Sequence, residues 1–239
     1  MQQYESGTER GLIDGFVLDG HGGGRRITRS ELPLLDLKPE ESLWVHWDRG
    51  VPEAQAWLRE SSGLNEFACD LLLEEATRPR LVDLGGERVL LFLRGVNLNP
   101  GAVPEDMVSL RVYAESQRVI SLRLRPLKAV ADLRTDLDAG RGPKTASEVV
   151  LYLAHYLTDR VDTLIGGLAD QLDAMEEAIE EDERSIPDQH QLRTLRRRAA
   201  GLRRYLAPQR EIYSQMVKFK LSWTAVSYTH LTLPTSDLV

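Results

Sequence analysis

VVLYLAHYLTDRVDTLIGGLADQLDAMEEAI, residues 149–179, is the stretch whose pattern decides the architecture. Its apolar positions Val150, Leu153, Leu157, Val161, Leu164, Leu168, Leu172, Met175 and Ile179 follow one another at steps of three and four, the α-helical period. The spacing predicts one amphipathic helix from Thr145 to Glu183, about 58 Å long at 1.5 Å per residue and about twice the width of a small domain. Its far end must therefore project. Ser185-Ile186-Pro187-Asp188 breaks the pattern, and a second stripe follows at Leu192, Leu195, Ala199, Leu202, Leu206, Tyr213 and Met216. So short a breaker predicts antiparallel neighbours. Pro208 falls inside the second helix, where proline costs about 3 kcal/mol and is expected to kink it.

Charge segregates along this hairpin. Asp170, Asp173, Glu176, Glu177, Glu180, Glu181, Asp182 and Glu183 contain no base among them, whereas Arg193, Arg196, Arg197, Arg198, Arg203, Arg204 and Arg210 follow the breaker. Folding back is expected to set acid opposite base. Exposed pairs contribute under about 1 kcal/mol each, so such pairing would fix register and partner choice more than stability.

Upstream of Gly140 the pattern is different. Leu12 to Leu18, Leu43 to Trp47, Arg80 to Leu84, Arg88 to Val96, Met107 to Tyr113 and Arg118 to Leu124 are short, rich in β-branched and aromatic residues, and bounded by turn residues, which predicts six strands. Gly85-Gly86 and the Ala114 to Gln117 connection predict two hairpins. Val89 to Leu93 is apolar without alternation, which implies cover on both faces. Leu110, Val112 and Tyr113 around Arg111 suggest a more exposed strand. Pro52 to Glu60, Asn65 to Ala76 with Asn65 as its cap, and residues 127–139 read as helices. The fold class is α/β: an α/β/α sandwich with a mixed sheet over residues 1–140, followed by a long antiparallel helical hairpin over 141–223. From Leu221 to Ser236 there is no formal charge and the helical stripe stops; residues 224–239 look like translated sequencing-adapter read-through and are read as a non-native tail.

Composition narrows the class further. The 239 residues are 42% hydrophobic and 28% charged, a globular balance rather than a disordered one. A net charge of −7 argues against nucleic acid as partner and favours cations. One cysteine, Cys69, excludes a disulfide framework and suits a reducing compartment. The N-terminus has no signal-peptide pattern, and no run is long and apolar enough to span a bilayer.

Four strings together carry a resemblance: Thr77-Arg78-Pro79-Arg80, Arg94-Gly95-Val96-Asn97-Leu98-Asn99-Pro100, Pro104-Glu105-Asp106-Met107-Val108-Ser109-Leu110-Arg111 and Leu202-Arg203-Arg204-Tyr205-Leu206-Ala207-Pro208-Gln209-Arg210. From about Gly11 to Leu221 the chain resembles the cytoplasmic domain of ZntB-type zinc transporters in the CorA superfamily. The resemblance implies a funnel-forming domain on the cytoplasmic side of the inner membrane, assembled as a homopentamer around a pore that passes Zn2+ or Mg2+. No acid–base or nucleophile constellation stands out, so no enzyme activity is expected, nor a resident cofactor, the ions being cargo or weakly bound. Membrane contact would come only through C-terminal helices absent here, and the stretch alone would not transport. The Gly-x-Asn spelled by Gly95-Val96-Asn97 follows a strand-like run and reads as a strand-to-loop element rather than a pore signature. The alternative is a free-standing cytosolic α/β protein whose acidic and basic hairpin mediates self-association or partner binding.

Candidate ligands are few. His155, Asp159 and Asp162 share a helix side and could offer one nitrogen and two oxygens to Zn2+, or form a solvated face. Asp170, Asp173, Glu176, Glu177 and Glu180 could concentrate cations by their field, without a loop to wrap an ion. Cys69 reads as a buried hydrophobe, His46 as a structural residue, and His21-Gly22-Gly23-Gly24 as a flexible turn.

Overall fold

The structure, a computed structural model, describes residues 10–181 and 189–218, with side chains over 10–178 and 189–216. The expected tail at 224–239 and the Ser185 to Asp188 breaker lie outside the described residues, as does the Glu180 side chain.

Seven strands form one mixed sheet in the order β2-β1-β3-β7-β6-β5-β4. They are β1 Leu12–Leu18, β2 Gly24–Arg26, β3 Ser42–Asp48, β4 Arg80–Gly85, β5 Arg88–Gly95, β6 Val108–Glu115 and β7 Arg118–Arg123. The β3–β7 pair is parallel and every other pair antiparallel. Helices α1 Pro52–Glu60 and α2 Glu66–Leu73 cover one face; α3 Lys128–Asp138, the first half of α4 Ala146–Glu181 and the second half of α5 Gln189–Lys218 cover the other. This is the expected α/β/α sandwich followed by long helices.

Local chemistry explains most of the boundaries. Pro52 opens α1, where its missing N–H is no loss. The Asn65 side chain accepts a hydrogen bond from the Ala68 amide at 2.8 Å and caps α2. Both glycine positions of the β4–β5 connection have positive φ (Gly85 73°, Gly86 59°), which glycine alone adopts freely. Leu90 and Phe92 face α1 and α2 while Val89, Leu91 and Leu93 face α4, so β5 is covered on both sides as its unbroken apolar run predicted. Burying each such side chain contributes roughly 1.5–3 kcal/mol.

Three expectations are corrected. Among the described residues there are seven strands rather than six, because the glycine-rich turn His21-Gly22-Gly23 closes a hairpin in which Gly24 already belongs to β2. Asp19 Oδ1 accepts from the amides of His21 (2.7 Å) and Gly23 (3.1 Å) and holds that turn. β6 is central rather than exposed, and Arg111 is 2% exposed. Its guanidinium donates to the carbonyls of Leu72 (2.5 Å) and Glu75 (3.4 Å) at the end of α2, where the helix dipole favours a cation. Burial, reinforced by nearby Arg49 and Arg94, pulls its pKa down to about 10. Finally, Pro208 does not interrupt the second helix: α5 continues through it, and Ile212, Tyr213 and Met216 beyond it are buried in the core.

Candidate functional site

The helical hairpin is assembled from residues with two duties. Along α4, Ala146, Val149, Val150, Leu153, Ala154 and Leu157 are buried on the sheet, whereas Leu164, Ile165 and Leu168 are half-buried against Leu202, Tyr205 and Leu206 of α5. By Leu172 the stripe is 41% exposed, so the helix projects as its length required. Across the helix from that stripe, His155, Asp159, Asp162, Asp170, Asp173 and Glu177 recur at three- and four-residue steps, with Gly166 completing the series. All are exposed except Asp162, which is half-buried. Its pKa is raised, first by desolvation and then by Asp159, with His155 acting in the opposite sense. His155, Asp159 and Asp162 thus share one side as expected, yet among the described residues no three His, Cys, Asp or Glu side chains converge as a metal site. Arg160 turns instead to Asp132 of α3, and Tyr156 to Asp136.

On α5, Arg193, Arg196, Arg197, Arg203 and Arg204 are exposed, opposite the side that carries Leu195, Leu202, Leu206 and Tyr213. The expected pairing of acid with base across the hairpin is corrected: among the described residues no ion pair joins Asp170, Asp173, Glu176 or Glu177 to an arginine of α5. The physical reason is facing. The apolar seam occupies the inner sides of both helices and turns both charged stripes outward. Arg198, whose side chain faces inward, bonds Glu105 in the loop after β5 and reaches Gln171 Oε1 at 3.4 Å.

The hairpin is locked to the sheet by Gln209. Its Oε1 accepts from the Arg94 amide at 2.6 Å and its Nε2 donates to the Arg94 carbonyl at 3.1 Å. Arg94 lies beyond the reach of β4, whose pairing with β5 begins at Arg80 and Phe92, so the amide stands in for a missing strand. Nε2 also donates to the Tyr213 hydroxyl at 3.1 Å, and burial pushes that phenol's pKa up. Neither Glu105 nor Gln209 stood out in the sequence as a contact residue; both fall inside the strings that carry the resemblance.

A second polar group is enclosed in the sheet. Asp14, His46 and Ser121 are neighbours across β1, β3 and β7. Ser121 Oγ accepts from Trp44 Nε1 at 2.9 Å and lies 2.8 Å from His46 Nδ1. His46 and Ser121 have no exposed surface and Asp14 is buried, which removes any substrate access a hydrolytic triad would need. Among the described residues, His46 Nε2 finds no hydrogen-bond partner and neither does Asp14 Oδ1, which has Arg134 at 3.6 Å and Arg26 at 3.8 Å as ion-pair partners. Cys69 is buried too, its thiol 3.3 Å from the Leu58 carbonyl and its pKa raised by burial.

A mixed sheet between helical layers, one layer continuing as a projecting two-helix arm, defines a class of α/β/α domain built to present long helices. The chain belongs to the CorA-like Mg2+ transporter protein family, whose model matches residues 39–230. It is 79% identical over 223 residues to the divalent cation transporter CmaX of Pseudomonas aeruginosa, covering 93% of this chain and 67% of that protein. The full-length CmaX structure superimposes with a TM-score of 0.88 over 92% of this chain and 67% of that one. The zinc transport protein ZntB of Yersinia enterocolitica is 33% identical over 208 residues, covering 87% of this chain and 62% of that protein. The ZntB cytoplasmic domain of Vibrio parahaemolyticus shares the fold, with a TM-score of 0.76 at 21% identity over 90% of this chain and 82% of that one. The chain thus spans 62–67% of the length of these curated relatives.

Proposed function

We propose that this chain is the cytoplasmic, funnel-forming part of a longer divalent cation transporter, carrying Zn2+ or Mg2+, and that it works as a self-assembled homopentamer rather than as an enzyme. The observation that carries this reading is the 79% identity to a divalent cation transporter across 93% of the chain. No helix among the described residues is long and apolar enough to cross a membrane, so in this reading passage itself belongs to segments beyond this stretch.

Two measurements test the proposal. Reading the parent gene past codon 223 should reveal two apolar helices, and the extended protein in lipid vesicles should admit Zn2+ or Mg2+ to an enclosed metal-sensitive dye. A complete natural gene encoding this stretch and no spanning segment overturns it. Titration calorimetry of the chain with Zn2+, Mg2+ and Ni2+ addresses His155 separately; heats unchanged by His155→Ala remove it as a ligand.

A further inference from the structure

The two charged stripes of the hairpin lie on opposite outer faces and at the same level. The Arg198–Gln171 contact sets the register, placing Arg193 to Arg204 beside about residues 165–176 in two antiparallel helices of equal rise. One side of the projecting arm therefore presents Asp170, Asp173 and Glu177, and the other presents Arg193, Arg196 and Arg203, all exposed. No ion pair within the chain joins the two sets among the described residues, and Arg198 is held by Glu105. At the head of the acidic side Gly166 is exposed, with open space where a Cβ would sit, so a second helix can approach closely there.

We propose that the arginine face of α5 docks on the carboxylate face of α4 of a second copy of this chain. Because the two faces differ, the contact is heterologous: each copy offers one free face to the next, and the series ends only when it closes into a ring. For arms that stand along the ring axis, equal level is what closure demands, since a rotation moves no copy along that axis. Each exposed pair is weak and screened by salt; a row of them gives direction and register to an assembly. This inference rests on the self-association in the proposed function and names the surfaces that meet.

Sedimentation velocity of the 239-residue chain tests it. At about 0.02 M salt the chain should sediment as an oligomer, and at about 0.5 M, where the screening length falls to a few ångströms, it should shift towards monomer. Asp170→Lys/Asp173→Lys/Glu177→Lys and Arg193→Glu/Arg196→Glu/Arg203→Glu should each sediment as monomers with unchanged far-ultraviolet circular dichroism. An equimolar mixture of the two should re-form a complex, and the six substitutions in one chain should regain the wild-type coefficient. A wild-type chain that stays monomeric overturns the contact, as does an oligomer indifferent to both reversals or a mixture and six-fold variant that fail to re-associate. Loss of association on reversing the arginine face alone also overturns it, and points to an anionic partner such as a lipid surface. An oligomer indifferent to both reversals leaves the transporter reading standing, whereas absence of cation flux through the extended protein removes that reading without touching the sedimentation result.

Discussion

His46 shows how one buried side chain ties stability to pH. Its burial, with Arg123 and Arg134 nearby, holds its pKa well below 6.5, so the folded ring stays neutral while the unfolded ring takes up a proton below about pH 6.5. Stability is present above that pH and is lost as pH falls, at a limiting slope of about 1.4 kcal/mol per pH unit for one proton. Urea unfolding of His46→Asn between pH 6.5 and 4.5 should show this slope reduced by one proton; an unchanged slope would refute the assignment. Asp14 acts in the opposite sense. Desolvation raises its pKa against the pull of Arg134 and Arg26, with Asp138 adding to the rise, so the charged carboxylate opposes folding, and the opposition fades as pH falls. Asp14→Asn is therefore expected to raise the thermal midpoint at pH 7 and to lose that advantage in acid. On a strand, a spacing of two residues is enough to put His46 on the same face as Trp44. Spacing could not show that Asp14 and Ser121 flank His46, because cross-strand neighbours are set by register between distant segments.

At the scale of elements, Gln209 carries more than its position in a charged helix suggests. Gln209→Ala leaves the Arg94 amide and carbonyl without partners, and unsatisfied buried groups cost about 1–3 kcal/mol each. Hydrogen exchange of the α5 amides after Pro208 should accelerate about a hundredfold while β6 and β7 exchange as before. Acceleration spread evenly over the whole chain would mean that the residue is not a local latch. Gly167 lies in the interior of α4, half-buried but with open space where a Cβ would sit, and a glycine in a helix interior costs about 0.5–1 kcal/mol relative to alanine. Gly167→Ala should stabilise by that amount, read as a higher urea midpoint at constant slope. Most elements were legible because their signals are local: Pro52, the Asn65 cap, Gly85-Gly86 and the helical stripe of α4. β2 was hidden by three residues among glycines. Arg111 misled because alternation on a central strand looks like alternation on an exposed one until a helix terminus is found waiting for the charge. The charged stripes of the hairpin were plain, but which way they faced depended on how the apolar seam closed.

For the molecule as a whole, stability is graded from the sheet to the tip of the arm. The sheet and the inner halves of α4 and α5 share one core, whereas the outer half of α4 has few buried contacts and Arg193, Arg196 and Arg197 are exposed. Brief trypsin digestion at about 0.5 M salt, where the copies stand apart, is expected to cut first at those arginines and to leave a product containing residues 10–165 intact; first cuts within β5 to β7 would contradict the gradient. The strand order has a consequence for how the protein is made. β2-β1-β3 and β7-β6-β5-β4 are each built from short-range antiparallel partners, but they join along the single parallel seam of β3 and β7, with two helices and three strands between them in the chain. Loop closure over that distance comes late. During synthesis the flank of β3, with Leu43, Val45 and Trp47, therefore stands bare until β7 leaves the ribosome, and a change that weakens β7 would reveal itself as aggregation of the newborn chain before any loss of stability in the finished one.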